Sequence, residues 1–136
     1  SDDSYSERGS SSRERENLDG FINCIQIRDN MIFAGESGRE GGLKYINLDS
    51  FTKESVGNYF IVDILEKFDS YLFAVTDSGI SIINIFNPAS INILSEIEFS
   101  DNIYSLSADE NFLYIDTQSG DRFYNISNIK RPVLIN

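Results

Sequence analysis

The sequence predicts an all-β fold made of three copies of one four-stranded unit, and two observations support this prediction. A five-residue stretch that starts at Asn30 recurs at Ser70 and at Asn111, at intervals of 40 and 41 residues. Each copy is followed by an apolar run that opens on glycine, at Gly42, Gly79 and Gly120. A period of about 40 residues built from short β-type runs is typical of propeller blades. We therefore predict a β-propeller segment of three four-stranded antiparallel blades, part of a larger or oligomer-completed propeller.

The strands are predicted from runs of β-branched and aromatic residues that are bounded by Asp, Asn, Ser and Gly clusters. In the first blade, about residues 21–60, we expect strands at Phe21–Ile27, Met31–Gly35, Leu43–Leu48 and Lys53–Phe60. In the second, about 61–102, we expect them at Ile61–Glu66, Tyr71–Thr76, Ile80–Phe86 and Asn92–Phe99. In the third, about 103–136, we expect them at Ile103–Ser107, Phe112–Thr117, Arg122–Ile126 and Pro132–Ile135.

Turn chemistry supports the hairpins between these strands. Short polar turns join the first strand of each blade to the second, at residues 28–30, 68–70 and 108–111. Gly79 and Gly120 close the turns between the second and third strands, where a positive φ favours glycine. The corresponding loop of the first blade, residues 35–42, is longer and is therefore the better candidate for contact with another molecule.

The first nineteen residues differ in composition from the remainder of the chain. They contain six serines and mixed charges, with almost no apolar side chains. Such a segment gains too little from burial to offset its ordering entropy. We predict a flexible polar tail or linker at 1–19, followed by the three blades at 20–136.

The overall charge excludes several classes of partner. The chain has 11 basic and 22 acidic residues, a net charge of -11, which repels phosphate backbones and anionic membrane surfaces. It contains no run of about 18 or more apolar residues, the length that spans a bilayer. We therefore expect neither nucleic-acid binding nor membrane insertion. Cys24 is the only cysteine, so an intrachain disulfide is excluded.

The run from Gly79 to Ala89 resembles the LVIVD-type propeller repeat, in which a glycine-led Ile/Val run ends in Asp and is followed by Asp-Pro. The match is best in the second unit, partial in the first and loose in the third. The chain departs from the family where Asn47, Asn84 and Asn125 replace the usual Asp. The resemblance implies a propeller fold, an extracellular or cell-surface location, and no common enzymatic activity.

Three blades leave the outermost two with uncovered apolar faces, because a blade buries its faces only between two neighbours. Exposed apolar faces of this size usually mark an interface. We therefore expect a protein partner or self-association to complete the propeller. The covering blades are expected from a second copy, giving six blades with twofold symmetry, from a different chain, or from a further part of the same polypeptide.

Candidate binding and core residues follow from the repeat. Tyr59 and Tyr104 lie near predicted strand ends and are candidate binding residues. Phe33, Phe73 and Tyr114 occupy the same place in successive units, which predicts three core positions. The recurring asparagines that end the third strands are expected to bond their own loop backbone, the alternative being a ligand site near the axis.

The sequence predicts a non-enzymatic interaction or scaffold module. Histidine is absent, and no nucleophile elbow, phosphate loop or metal-ligand spacing is present, so we predict no catalytic residues, no metal site and no cofactor. Two alternatives remain open: a propeller module that binds a small ligand or a carbohydrate, and part of an enzyme whose catalytic residues lie outside this chain.

Overall fold

A computed structural model describes residues 21–136, and the predicted tail at 1–19 lies outside the described residues. The described part contains twelve strands and no helix. Sheet 1 consists of β1 (Phe21–Arg28), β2 (Met31–Ser37), β3 (Gly42–Asn47) and β4 (Thr52–Val56). Sheet 2 consists of β5 (Val62–Phe68), β6 (Tyr71–Thr76), β7 (Gly79–Asn84) and β8 (Asn92–Glu98). Sheet 3 consists of β9 (Ile103–Ala108), β10 (Phe112–Thr117), β11 (Gly120–Asn125) and β12 (Val133–Leu134).

Each sheet is an antiparallel meander in which strands pair in chain order, so the prediction of three four-stranded antiparallel sheets is confirmed. The repeat extends to single hydrogen bonds. The residue just after the third strand of each sheet donates its backbone N–H to the carbonyl of the residue that opens the repeat, at 2.8–2.9 Å: Leu48 to Asn30, Ile85 to Ser70, and Ile126 to Asn111. The three units are therefore equivalent in backbone structure as well as in sequence.

The sheets contact one another through their innermost strands, with β1 against β5 and β5 against β9. Two buried layers result. The first lies between sheets 1 and 2 and includes Phe33, Leu43, Leu72 and Ile83, and the second lies between sheets 2 and 3. Sheet 2 is thus covered on both faces, as an interior blade is, whereas residues 21–136 cover only one face of sheet 1 and one face of sheet 3. The array is an open segment of propeller-like blades.

Alternation along the strands gives every sheet two chemically distinct faces. We call the face that points toward the following sheet the leading face; it carries Phe33 in sheet 1 and Phe73 in sheet 2. The opposite face, which points toward the preceding sheet, is the trailing face; it carries Leu72 in sheet 2 and Leu113 in sheet 3. Every joint inside this chain therefore joins a leading face to a trailing face.

Two predicted strands extend two or more residues beyond the observed ends, each for a local reason. β4 ends at Val56 instead of Phe60, because Gly57 adopts φ +71° and turns the chain toward sheet 2. β7 ends at Asn84 instead of Phe86, because the Asn84 side chain accepts the Phe86 N–H at 2.9 Å and starts a turn. The remaining strands lie within two or three residues of their predicted bounds.

Candidate interaction faces

The leading face of sheet 3 is the first of two uncovered faces. Phe33 and Phe73 are fully buried at 0% exposure, whereas Tyr114, the equivalent residue of sheet 3, is partly exposed on the outermost face. The prediction that all three are core positions is therefore wrong for Tyr114 within the described residues. Apolar side chains around it share this face and its exposure: Phe112 at 45%, Phe123 at 37%, Val133 at 56% and Ile135 at 54%.

An aromatic pair on this face has a buried counterpart inside the chain. Tyr114 pairs with Phe123 across β10 and β11, with ring centroids 5.0 Å apart. Phe33 pairs with Tyr45 at the equivalent positions of sheet 1, with centroids 5.2 Å apart, and both are buried against sheet 2. The leading face of sheet 3 thus presents the same kind of surface that sheet 1 buries.

The trailing face of sheet 1 is the second uncovered face, and it is aliphatic. Its exposed residues lie on the inner strand: Ile22 at 61%, Ile25 at 50% and Ile27 at 57%. Ile32 and Ile46 pair next to them in β2 and β3 and are partly exposed. Their counterparts in sheet 2, Leu72 and Ile83, are buried at 0% exposure.

The two uncovered faces differ in charge. Asp116 and Asp121 pair across β10 and β11 on the leading face of sheet 3, and no basic residue lies on that face among its described strands. Hydrogen bonding with the Asp121 carboxylate raises the pKa of the Tyr114 phenol. The trailing face of sheet 1 carries the exposed Lys53 on β4, the partly exposed Lys44 on β3 and one acidic residue, the buried Glu36 on β2. One face is therefore aromatic and acidic, and the other is aliphatic and mainly basic.

Close approach of β1 and β2 to the inner strand β5 fixes the joint between sheets 1 and 2. A Cβ atom placed on Gly35 would lie 2.7 Å from Val62 Cγ1 and 2.9 Å from the Val62 carbonyl oxygen. Gln26 Nε2 donates to the Leu65 carbonyl at 3.1 Å. The Arg28 guanidinium lies 5.7 Å from the Phe86 ring centroid, a cation–π contact across the same joint.

Tyr59 lies in the linker between β4 and β5 and packs against the first buried layer. Its hydroxyl donates to Ser81 Oγ at 2.7 Å, and Ser81 Oγ donates to Glu96 Oε2 at 3.3 Å. Burial raises the pKa of Tyr59. Since Ser81 is only 2% exposed and belongs to the trailing face of sheet 2, this hydrogen bond crosses the joint between sheets 1 and 2.

Tyr104, the second sequence-predicted binding residue, lies on the inner strand β9 and is 60% exposed. It belongs to sheet 3, whereas Tyr59 lies between sheets 1 and 2, so the structure does not bring the two tyrosines together. On the leading face of sheet 3, the exposed aromatic residues that sequence reasoning missed are Phe112 and Phe123. The sequence did contain a signal for them. Phe112 lies two residues before Tyr114 on the same strand, and Phe123 lies opposite Tyr114 on the next strand, so both share its face in the last unit.

The three recurring asparagines cap turns, as their sequence context predicts. In each case the Oδ1 atom accepts the N–H two residues ahead at 2.9 Å: Asn47 from Asp49, Asn84 from Phe86, and Asn125 from Ser127. Their amide oxygens are thus engaged within their own loops.

A polar cleft of about 360 Å³ opens between the outer edges of sheets 1 and 2. It is lined by β4 on one side and by the β7–β8 connection on the other, including Glu54, Ser55 and Ser90. The Tyr45 hydroxyl at its wall donates to the Pro88 carbonyl oxygen at 3.1 Å. This volume falls in the lower part of the range of about 300–1,000 Å³ found for small-molecule sites.

No protein-family model matches this sequence, and no curated protein matches it. Within residues 21–136, Cys, Asp and Glu side chains form no group of three that could hold a metal ion. The same part of the chain contains no helix of the length and apolarity that a membrane span requires.

Proposed function

We propose that this chain is a non-enzymatic β-propeller module that holds another protein surface through the uncovered faces of its outer sheets. One observation supports the proposal above the others. The same position of the repeat is occupied by Phe33, Phe73 and Tyr114, and the first two are buried whereas Tyr114 is partly exposed. The apolar residues around Tyr114 form a continuous exposed patch instead of isolated surface residues. Exposed apolar patches rimmed by polar groups mark interaction sites.

The resemblance of the repeats to LVIVD-type propellers implies a propeller fold without a common enzymatic activity, which agrees with a non-enzymatic role. It also favours an extracellular or cell-surface location, which forms part of this proposal. The absence of histidine from the sequence removes the commonest general base and agrees with a binding role.

The proposal is tested by measuring whether the outer faces are available to a partner. Binding of an apolar fluorescent dye to the 136-residue chain is expected where the faces are free, and the double variant Ile25→Glu/Phe123→Lys, which adds a charge to both faces, should lose most of the signal. Hydrogen exchange gives a second measure: in an assembled state, protection of β10 and β11 should rise with protein concentration. A chain that remains monomeric at all concentrations and binds no dye would contradict the proposal.

Binding of a small ligand or carbohydrate is the second candidate, and the cleft between sheets 1 and 2 is the observation that favours it. Its polar lining suits hydroxyl-rich ligands, because Glu54, Ser55 and Ser90 supply donors and acceptors. Thermal unfolding with a glycan panel and with calcium tests it. A stabilising shift that Glu54→Ala abolishes supports this candidate, and no shift with any ligand removes it.

A further inference from the structure

We infer that the two uncovered faces are the two halves of one joint: the leading face of sheet 3 docks on the trailing face of sheet 1 of a second copy. This inference rests on the proposed function, since it names the surface that the module holds. Two copies contribute six sheets, within the range of about four to eight blades at which propellers close. The assembly is a ring with twofold symmetry and two identical head-to-tail joints.

The chain already contains this joint twice. Sheet 1 offers Phe33 to the trailing face of sheet 2, and sheet 2 offers Phe73 to the trailing face of sheet 3. The leading face of sheet 3 presents Tyr114 at the equivalent position. Like Phe33, Tyr114 lies on the second strand of its sheet and pairs with an aromatic residue of the third strand. The surface that fits it is therefore a trailing face of this repeat.

The matching trailing face is present on sheet 1, and none of the described residues covers it. The aliphatic face of sheet 1 carries Ile32 and Ile46 at the positions where sheet 2 buries Leu72 and Ile83. Pairing two leading faces instead would place one leading face on another. Both buried layers of the described chain join a leading face to a trailing face, so this contact has no precedent there.

The charges on the two faces also favour the head-to-tail contact. A leading face that pairs with itself would bring the carboxylates of Asp116 and Asp121 against their own copies. A head-to-tail contact instead brings these carboxylates to a face that carries two lysines, Lys44 and Lys53, against one carboxylate, that of the buried Glu36. Because the chain has a net charge of -11, opposite local charges matter for the orientation in which two copies approach each other.

Complementation between two face variants of the full chain tests this geometry. Phe123→Lys places a lysine on the leading face of sheet 3, opposite the lysine-bearing trailing face. Ile25→Glu places a carboxylate on the trailing face of sheet 1, opposite the acidic leading face. Phe51→Lys is the matched control, since Phe51 is 85% exposed in the β3–β4 turn and lies on neither face. Far-UV circular dichroism and thermal unfolding establish that each variant is folded.

Sedimentation of the unmodified chain and the Phe51→Lys control is expected to give twice the mass of one chain. Each face variant alone should lose the dimer, because every possible joint then includes a defective half. An equimolar mixture of the two should recover a dimer, since the intact leading face of one variant meets the intact trailing face of the other.

Three results would overturn the inference. In the first, Phe123→Lys abolishes the dimer and Ile25→Glu leaves it intact, as pairing between two leading faces requires. In the second, the mixture of folded variants stays monomeric. In the third, the unmodified chain is itself monomeric; dye binding to that monomer would overturn the self-pairing alone, and absence of dye binding would overturn the proposed function as well.

Discussion

Truncation at two equivalent repeat positions should have very different effects on stability. Phe33 is 0% exposed and its ring centroid lies 5.2 Å from that of Tyr45, so Phe33→Ala leaves a cavity in the first buried layer. Removing a buried Phe side chain costs about 3–5 kcal/mol of unfolding free energy. Tyr114 has no covering sheet within the described chain, so Tyr114→Ala in a dilute monomer should cost about 1 kcal/mol. Phe51→Ala, at an 85% exposed position, is the control and should change stability by less than about 0.5 kcal/mol.

Urea denaturation followed by far-UV circular dichroism measures these differences. With a slope of about 2 kcal/mol per molar urea, Phe33→Ala should lower the midpoint by about 2 M. The cost of Tyr114→Ala should increase with protein concentration, because a second copy stabilises only the folded chain whose face it covers. Equal costs for Phe33→Ala and Tyr114→Ala at high dilution would refute the assignment of leading and trailing faces. So would a cost that does not change with concentration.

Three further predictions concern local structure. Asn84→Ala should lower the free energy of unfolding by about 0.5–1.5 kcal/mol in urea denaturation, because it removes the acceptor for the Phe86 N–H. Asn84→Asp keeps an acceptor oxygen and should lower it less. Equal losses for the two variants would argue against the capping role. Gly35→Ala should destabilise by about 1–3 kcal/mol, because its Cβ would overlap Cys24 Sγ in the same sheet and lie 2.7 Å from Val62 Cγ1 across the joint, and an unchanged melting temperature would show that both neighbours move away without cost. Hydrogen bonds from two backbone N–H groups lower the pKa of Asp109, so its stabilisation is present above the ordinary carboxyl pKa and is lost as pH falls through the lowered value. The stability difference between the unmodified chain and Asp109→Ala should therefore shrink on acidification below about pH 4, and a difference that grows there would contradict this.

The fold was predictable because the same local chemistry occurs three times. The turn pairs that include Asp29 and Asp69 place an aspartate at φ 52° and 55°, a conformation that Asp tolerates better than most residues. Gly79 and Gly120 adopt φ +144° and +118° at the start of the third strands, as the turn chemistry predicts. These signals are local, so a single sequence contains them.

Contacts across a joint were not predictable in the same way. Tyr59 is separated from Ser81 by 22 residues and by a change of sheet, so nothing near Tyr59 in the sequence indicates its hydrogen bond. The turn at Gly57, where a Cβ would lie 2.5 Å from the Tyr59 ring, is tied to the same packing. The predicted extension of β4 to Phe60 failed for this reason.

The candidate faces were predictable in part, less well than the repeated turns and better than the contacts across a joint. The repeat predicted that the outer blades have uncovered faces, but it treated Tyr114 as the equal of Phe33. The register of β10 and β11 places Tyr114 on the same face of its sheet as Phe33, so the repeat position determines which way a side chain points. Whether the side chain is buried depends on a following sheet, which covers Phe33.

Site-directed cross-linking tests the head-to-tail joint most directly. Gly35 meets Val62 across the first joint, and the repeat places Asp116 and Ile22 at the matching positions of the uncovered faces. In a Cys24→Ala background, Asp116→Cys chains and mass-tagged Ile22→Cys chains are mixed and oxidised. The account predicts that the disulfide between the two different chains forms faster than either disulfide between like chains. A statistical mixture of all three products, or a preference for like pairs, would contradict it.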